Sequence, residues 1–279
     1  MKTNSFAFQG VNGAYSEQAG KNVFPEAKSL PCSTFEEMFA CVRNNKADIA
    51  LVPIENSQAG RVADTQRLIP NSDLNIIGEY FLEVRHNLLA VPGTNINDIK
   101  RVHSHEQGIA QCRNKIIKLN KQMVIAADTA GSAKKISDLN NKEDAAIASS
   151  LAAEIYNLEV LQADFQDAEY NVTRFLIMSK DKSDIEPSDS NIITTLLFVV
   201  RSIPASLYKC LGGFATNQIN LTKLESFSVK NTFDQANFYL DLEGHLEQPG
   251  VKKAMEELGF HTVTLDILGV YEASKFRQK

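Results

Sequence analysis

Apolar and polar residues follow one another in a repeated order along most of the chain. Short apolar runs, such as "FAFQG" at Phe6–Gly10 and the run Ile49–Val52, are typical of buried strands, and each is followed by a polar turn. Met38, Phe39 and Val42 recur at the spacing of one helix face. Repeats of strand, polar turn and helix predict a mostly parallel sheet with helices on its faces.

Two local predictions concern strand ends and strand pairing. Pro53 is expected to end the strand that begins at Ile49. The segment "EYFLEVRHNLLAVPG" at Glu79–Gly93 is expected to form paired strands.

The pattern changes after Ser179–Asn191, a polar, charged and proline-containing segment with the composition of a linker. Beyond this segment, the apolar periodicity predicts a strand, a helix, two strands, a helix and a final strand. This β-α-β-β-α-β order is the ferredoxin-like arrangement. A chain of 279 residues has room for two domains, so we predict an α/β domain followed by a small ferredoxin-like domain.

Composition and charge narrow the range of partners. Hydrophobic residues make up 43% of the chain and charged residues 23%, and the net charge is −5. Lysine and arginine do not cluster in a long basic block. This balance argues against nucleic acid and anionic membrane surfaces as partners.

The cysteines and the first residues bear on the cellular compartment. Cys32, Cys41, Cys112 and Cys210 form no CxxC pair and no Cys/His cluster, so neither a metal site nor a disulfide framework is predicted. Scattered thiols are typical of a reducing compartment. The N-terminal "MKTNSFAFQG" lacks an apolar signal core, and no apolar run has the length of a membrane span. We therefore predict a cytoplasmic protein.

Polar turns follow several of the predicted strands. The turn at Gly10 opens a helix with Ser16 in its first turn, where free amide groups can bind an anion. The clusters Glu55–Ser57, Ser104–His105 and Asp128–Ser132 also follow apolar runs. Ligands of open α/β sheets bind at the carboxyl ends of the strands. From position alone, a ligand site and a plain polar turn both remain open for each cluster.

Taken together and in order, these segments resemble prephenate dehydratases that carry a C-terminal ACT regulatory domain. The resemblance covers almost the whole chain. It rests on "GVNGAYSEQA" near the start, "VPIENSQAGRV" at Val52–Val62, "SHEQGIAQC" at Ser104–Cys112, "DTAGSA" at Asp128–Ala133, "NVTRF" at Asn171–Phe175 and "INLTKLES" in the second domain.

The resemblance implies a bilobed α/β catalytic domain, similar to type II periplasmic-binding proteins, followed by a ferredoxin-like ACT domain. We expect the catalytic domain at residues 1–180 and the ACT domain at 191–279. Lobe one would combine residues 1–80 and 162–180, and lobe two would be formed by 81–161. The active site would then lie in the cleft between the two lobes.

The implied activity is the decarboxylating dehydration of prephenate to phenylpyruvate in L-phenylalanine biosynthesis. The resemblance also implies feedback regulation by L-phenylalanine and a homodimer or homotetramer. It implies no cofactor and no metal, because aromatisation of the substrate ring drives the reaction. Two alternatives stay open: an arogenate dehydratase, and a non-catalytic protein that senses amino acids.

The resemblance also assigns roles to individual residues. Catalytic roles fall on Asn171, Thr173, Arg174 and Phe175; substrate-binding roles fall on Ser16, Asn56, Ser57, Ser104, His105 and Thr129; allosteric roles fall on Ala205, Ser206, Leu207, Asn220, Leu221, Glu225 and Ser226.

Thr173 is expected to donate a hydrogen bond to the leaving hydroxyl, and Arg174 offers a planar fork suited to a carboxylate. Neighbouring residues of a regular strand point to opposite faces, so we expect Thr173 rather than Arg174 to contact the substrate. Glu55 would repel a dianion and is expected to organise its loop or to pair with a cation such as Arg61.

Two motifs of the second domain depart from the family pattern. The helix entry that is usually Gly-Ala-Leu is Ala205–Leu207, and the usual Glu-Ser-Arg-Pro is Glu225–Ser228. The second motif commonly belongs to the phenylalanine-binding interface. Because these residues differ from the family pattern, the effect of phenylalanine on activity needs to be measured for this chain.

Overall fold

The computed structural model describes residues 3–187, 191–228 and 236–278. The chain divides into two compact units, and it passes from one unit to the other within two of its strands. The first unit comprises Met1–Leu68 and Tyr80–Leu176, and the second comprises Ile69–Glu79 and Ile177–Lys279.

The first unit contains two lobes, each built on its own strands. In lobe one, the strands lie in the order β2-β1-β3-β11, and β1 is parallel to both β2 and β3. The elements of lobe one are β1 (Ser5–Gln9), α1 (Tyr15–Val23), β2 (Lys28–Cys32), α2 (Phe35–Arg43), β3 (Ile49–Asn56), β4 (Gly60–Arg61), α3 (Ala63–Leu68) and the first part of β11 (Val172–Ser179).

Lobe two has a five-stranded sheet in the order β10-β6-β9-β7-β8. Neighbouring residues of β9, such as Ala146 and Ile147, are buried in separate apolar clusters, as expected of a strand with both faces covered. The elements are β6 (Asn87–Ala90), β7 (Arg101–His105), α4 (Glu106–Gln111), α5 (Arg113–Lys118), β8 (Gln122–Ala126), α6 (Thr129–Leu139), β9 (Asp144–Ala148), α7 (Ser150–Ile155) and β10 (Glu159–Gln162).

The second unit has the order β-α-β-β-α-β after its linker. Its strands lie in the order β13-β14-β12-β15, which is the strand order of a ferredoxin-like sheet. The elements are a 3-10 helix (Ile69–Asn71), the first part of β5 (Asn75–Glu83), β12 (Ile192–Val200), α8 (Ser206–Thr216), β13 (Leu221–Ser228), β14 (Ala236–Glu243), α9 (Pro249–His261), β15 (Thr262–Glu272) and a C-terminal 3-10 helix (Lys275–Gln278).

A glycine allows β15 to lie beside β5 in the second unit. These strands are parallel and pair at Gly269 and Ile76. A Cβ atom at Gly269 would lie 2.1 Å from the carbonyl oxygen of Ile76, so any larger residue would force the strands apart.

The predicted fold class is confirmed: a bilobed α/β region is followed by a β-α-β-β-α-β domain. Two local predictions were wrong. Pro53 does not end its strand, because β3 continues beyond it and pairs with β4 at Glu55 and Asn56. The strands β5 and β6 do not pair with each other, because β6 joins β9 and β10 in lobe two.

Parts of two predicted segments lie outside the described residues. These are residues 188–190 of the predicted linker and Val229 of a predicted strand. The domain boundaries at 180 and 191 remain a proposal.

Candidate active site

A cavity of about 350 Å³ lies in the first unit between the two lobes. Its walls are the loops at the carboxyl ends of β1, β3, β7 and β8, together with the start of β11. This is the edge at which ligands of open α/β sheets bind. The lining includes six of the residues named from the sequence: Ser16, Asn56, His105, Thr129, Thr173 and Phe175.

Three helices begin at this cavity. Residues of the first turns of α1, α4 and α6 line it, including Ser16, Gln107 and Thr129. Their unpaired backbone N–H groups and the positive ends of the helix dipoles favour an anion. The described residues that line the cavity include no lysine and no arginine. An anion bound there would therefore depend on backbone amides and neutral side chains.

A carboxylate also lines the cavity. Asp128 caps α6, because its Oδ1 accepts a hydrogen bond of 2.5 Å from the amide of Gly131. His105 caps α4 in a similar way, with 3.3 Å between its Nδ1 and the amide nitrogen of Gln107. Both side chains therefore stabilise a helix start while they face the cavity.

The hydrogen bonds around Thr173 hold its hydroxyl in place and leave the hydroxyl hydrogen available to a ligand. The Asn56 Oδ1 accepts from the amides of Gln58 and Ala59 at 2.9 and 2.8 Å, which fixes the orientation of the Asn56 amide group. Asn56 Nδ2 then donates to Thr173 Oγ1 at 2.9 Å and to Asn171 Oδ1 at 2.8 Å. Within the described part of the chain, no group accepts the Thr173 hydroxyl hydrogen. Thr173 can therefore donate that hydrogen to a bound ligand.

Arg174 does not line this cavity, because the alternation of β11 directs Thr173 and Phe175 into the cavity and Arg174 to the other face. The Arg174 residue is only 2% exposed. Its guanidinium lies 3.3 Å from a Glu55 carboxylate oxygen and 5.9 Å from the centre of the Phe81 ring. This geometry supports a structural role for Arg174, and it does not support direct contact between Arg174 and a ligand in this cavity.

Three other residues named from the sequence contact neighbouring segments of the chain and do not line this cavity. Ser57 Oγ accepts a hydrogen bond of 2.9 Å from the Val172 amide. The fully buried Ser104 hydroxyl donates to the Ile147 carbonyl at 2.8 Å. Asn171 lines a neighbouring polar cavity. None of these three lies among the described residues of the cavity that contains Thr173.

The lobes approach each other closely at the glycine turn. Gly13 has a positive φ of 88°, and a Cβ at this position would lie 2.8 Å from the Ala152 Cα. Ser149 Oγ and Tyr156 Oη donate, both at 2.6 Å, to the carbonyl oxygens of Gly13 and Asn12. The turn of lobe one is thus bound to α7 of lobe two.

The cavity also contains residues that were not singled out from the sequence. Tyr15, His86, Gln107 and Gln111 all line it. Tyr15, Gln107 and Gln111 lie inside the quoted segments "GVNGAYSEQA" and "SHEQGIAQC", so their position in those segments was the available signal. His86 lies in "VRHNLL", outside all of the segments quoted for the family resemblance, so no such signal was available for it.

We predict that Arg174→Met will lower the free energy of unfolding by about 3 kcal/mol and leave the KM of the folded enzyme unchanged. This is the lower end of the range for breaking a buried ion pair, because Glu55 remains partly exposed to water. Urea unfolding and steady-state kinetics would measure the two effects. Arg67→Met is the matched control, because Arg67 pairs at the surface. A large rise in KM without loss of stability would instead indicate direct contact with the substrate.

The residues expected to bind an effector lie on two elements of the second unit. Ala205, Ser206 and Leu207 lie at the N-terminal end of α8, and Ala205 has a positive φ of 63°. Asn220 comes just before β13, and its side chain donates to Glu243 at 3.0 Å. Leu221, Glu225 and Ser226 follow along β13.

We predict that Ala205→Gly will raise the free energy of unfolding by about 1 kcal/mol. An alanine in the left-handed region carries a steric cost that glycine avoids, and part of the gain is offset by the more flexible unfolded chain. Ala215→Gly in the same helix is the matched control, with an expected loss of about 1 kcal/mol. Thermal and urea unfolding would show whether the two substitutions have these opposite signs.

No group of three or more His, Cys, Asp or Glu in residues 3–187, 191–228 and 236–278 could hold a metal ion. In the same residues, no helix combines the length and the apolar character needed to cross a membrane.

Comparison with known proteins identifies the family. A family model described as prephenate dehydratase matches residues 6–183, which is more than half of the chain. The chain belongs to the prephenate dehydratase family. The family predicted from the sequence motifs is therefore confirmed for this region.

Similar proteins agree with this assignment. A Komagataeibacter europaeus protein named bifunctional N-acyl-homoserine lactone acylase/prephenate dehydratase is 44% identical over 273 residues, covering 98% of this chain and 97% of the relative. Arogenate dehydratase/prephenate dehydratase 2 of Arabidopsis thaliana is 38% identical over 275 residues, covering 95% of this chain and 72% of the relative. The solved structure of Arthrobacter aurescens prephenate dehydratase in complex with L-Phe has a TM-score of 0.88 and 30% sequence identity. The match covers 96% of this chain and 90% of the Arthrobacter aurescens chain.

Proposed function

We propose that this chain is a prephenate dehydratase, which converts prephenate to phenylpyruvate, CO2 and water. The observation that carries the proposal is the Thr173 hydroxyl, which faces the inter-lobe cavity with its hydrogen uncommitted to the described protein groups. A non-catalytic sensor has no need of a proton donor oriented in this way.

The groups that line the cavity are suited to the chemistry of this reaction. The bond between the ring and its carboxylate breaks, the electron pair enters the ring, and the hydroxyl on the opposite carbon leaves and gains a proton. Thr173 donates its hydrogen bond to the departing oxygen, where negative charge develops in the transition state. A threonine hydroxyl is a weak acid, so its contribution comes from orientation in a site shielded from water.

The anionic substrate is held by backbone groups in this proposal. Its carboxylates lie toward the first turns of α1, α4 and α6, where Ser16 and Thr129 add hydroxyl donors. Asn56 and His105 complete the polar wall, and Phe175 provides an apolar surface for the ring. Arg174, Ser57, Ser104 and Asn171 support this wall from outside the cavity.

A substrate panel tests this proposal. Purified protein should turn over prephenate faster than the uncatalysed reaction and faster than it turns over arogenate or an N-acyl-homoserine lactone. The last compound is included because the Komagataeibacter europaeus relative is named an acylase as well as a dehydratase. Absence of turnover for all three would favour a binding protein.

Arogenate is the second candidate substrate. The Arabidopsis thaliana relative carries both dehydratase names, and the Asp128 carboxylate in the cavity could pair with the ammonium group of arogenate. Asp128→Asn keeps a helix cap while it removes the charge. If arogenate is the substrate, this variant should lose activity on arogenate more than on prephenate.

We also propose that the second unit is an ACT domain and that L-phenylalanine is its effector. The support is the ferredoxin-like strand order together with the L-Phe bound to the Arthrobacter aurescens enzyme. L-Phenylalanine should raise the thermal midpoint and lower turnover, whereas an equal concentration of L-alanine should do neither. If L-phenylalanine has no effect in either assay, this chain lacks that response.

ACT domains commonly associate in pairs, so we further propose a cytoplasmic homodimer or homotetramer. Light scattering on the purified chain tests the oligomeric part of this proposal. A monomer at assay concentration would contradict it.

A further inference from the structure

The hydrogen bonds around Thr173 continue across the cleft into lobe two. Asn171 Nδ2 donates to Gln111 Oε1 at 3.0 Å, and the same Gln111 oxygen lies 2.7 Å from His86 Nε2. His86 Nδ1 in turn lies 2.8 Å from the Tyr15 hydroxyl. A continuous series of contacts therefore connects Tyr15 with Thr173 through His86, Gln111, Asn171 and Asn56.

The direction of each hydrogen bond in this series is determined from one end. Backbone amides fix the Asn56 side chain, so Asn171 Oδ1 is an acceptor and Asn171 Nδ2 is a donor. Gln111 Oε1 carries no hydrogen, so His86 Nε2 must carry one in order to bond to it.

The single hydrogen of the Tyr15 hydroxyl has two acceptors within reach, His86 Nδ1 at 2.8 Å and the Arg85 carbonyl oxygen at 3.1 Å. In a neutral imidazole protonated at Nε2, Nδ1 is an acceptor, so the shorter of these contacts is the hydrogen bond that Tyr15 donates to His86.

Burial favours the neutral form of both rings. His86 is only 2% exposed, and its burial lowers the pKa of the imidazole, although the hydrogen bond to Gln111 acts in the opposite direction. Burial also raises the pKa of Tyr15 well above its ordinary value. The backbone of His86 is fixed as well, because its amide donates to Gln166 Oε1 at 2.8 Å.

We propose that His86, as the neutral tautomer protonated at Nε2, is a positioning residue for the dehydration. It holds the Gln111 amide group with its oxygen toward Asn171, and Asn171 and Asn56 in turn keep the Thr173 hydroxyl directed at the substrate. The inference rests on the proposed function, and it assigns to His86 a role that acts through other residues. The series of contacts also joins residues of lobe two to residues of lobe one.

Nitrogen NMR of the protein labelled with 15N-histidine tests the tautomer without any assay of activity. The His86 signals, assigned by their loss in His86→Gln, should show the correlation pattern of a neutral ring with its hydrogen on Nε2. A hydrogen on Nδ1 alone, or a doubly protonated ring at neutral pH, would overturn the proposal. The assignment needs only one folded variant, either His86→Gln or His86→Leu, and the measurement does not depend on which substrate the enzyme uses.

Kinetics test the positioning role. His86→Leu should lower kcat for prephenate by about 10-fold to 100-fold, with a much smaller change in KM, because the hydroxyl is misdirected while binding survives. His86→Gln places an N–H donor near the position of Nε2 and should recover most of that loss. Tyr170→Phe, a change at an exposed tyrosine, is the control and should match the unchanged protein.

An unchanged kcat in folded His86→Leu would overturn the proposal, as would equal losses in the leucine and glutamine variants. If the unchanged protein itself fails to turn over prephenate, the proposed function fails, and the NMR result still decides the tautomer on its own.

Discussion

Thr173→Ala should lower kcat for prephenate by about 10²-fold to 10³-fold while the protein remains folded. That range is typical of removing one hydrogen-bond donor from a charge that develops in the transition state. The Thr173 side chain accepts from Asn56 and faces the cavity, so its loss removes the donor at the departing oxygen. Stopped assays of phenylpyruvate formation would measure the change.

Two further variants distinguish the effect of the hydroxyl on activity from the effect of the side-chain shape. Thr173→Ser keeps the donor and should retain most of the activity, whereas Thr173→Val keeps the shape and should behave like the alanine variant. Equal activity in the serine and valine variants would show that the hydroxyl has no catalytic role.

Arg277→Met should lower the free energy of unfolding by about 3–5 kcal/mol, the range for removing one partner of a buried ion pair. Arg277 lies in the C-terminal 3-10 helix, and its Nε and one terminal nitrogen contact the two Glu79 carboxylate oxygens at 2.5 and 2.9 Å. The Glu79 side chain is fully buried. The same arginine lies 3.7 Å from the buried Asp241. Its loss therefore leaves carboxylates inside the second unit without this cation.

Lys275→Met provides the control for the arginine variant. Lys275 lies in the same 3-10 helix and is exposed, so the same loss of one positive charge should change the free energy of unfolding by at most about 0.5 kcal/mol. Urea unfolding of both variants would measure the difference. Similar small effects in the two would mean that the Arg277 pair contributes little to the fold.

Much of the fold could be predicted because local pattern and tertiary structure agree. Met38, Phe39 and Val42 are buried in α2, as their spacing along the sequence requires. The pairing of strands was harder to predict from the sequence. Whether β3 ends at Pro53 depends on its pairing with β4, and pairing depends on contacts that periodicity does not describe.

The candidate site could be predicted at the level of segments and less well at the level of side chains. Ser104 and Thr129 both belong to polar clusters that follow apolar runs in the sequence, yet Ser104 lies within β7 and bonds to a carbonyl of the neighbouring strand β9, while Thr129 lines the cavity. A hydroxyl that bonds within the sheet and one that faces a ligand look alike in sequence. His86 shows the converse, because its contacts come from residues far away along the chain.

The most direct test of the central claim is the balance of products from prephenate. Purified protein without added cofactor should release phenylpyruvate and CO2 in equal amounts, at a rate well above the uncatalysed reaction at neutral pH. Simultaneous measurement of phenylpyruvate absorbance and labelled CO2 from the ring carboxylate would establish this. A rate equal to the uncatalysed background, with intact folded protein, would contradict the assignment of this cavity as a prephenate dehydratase site.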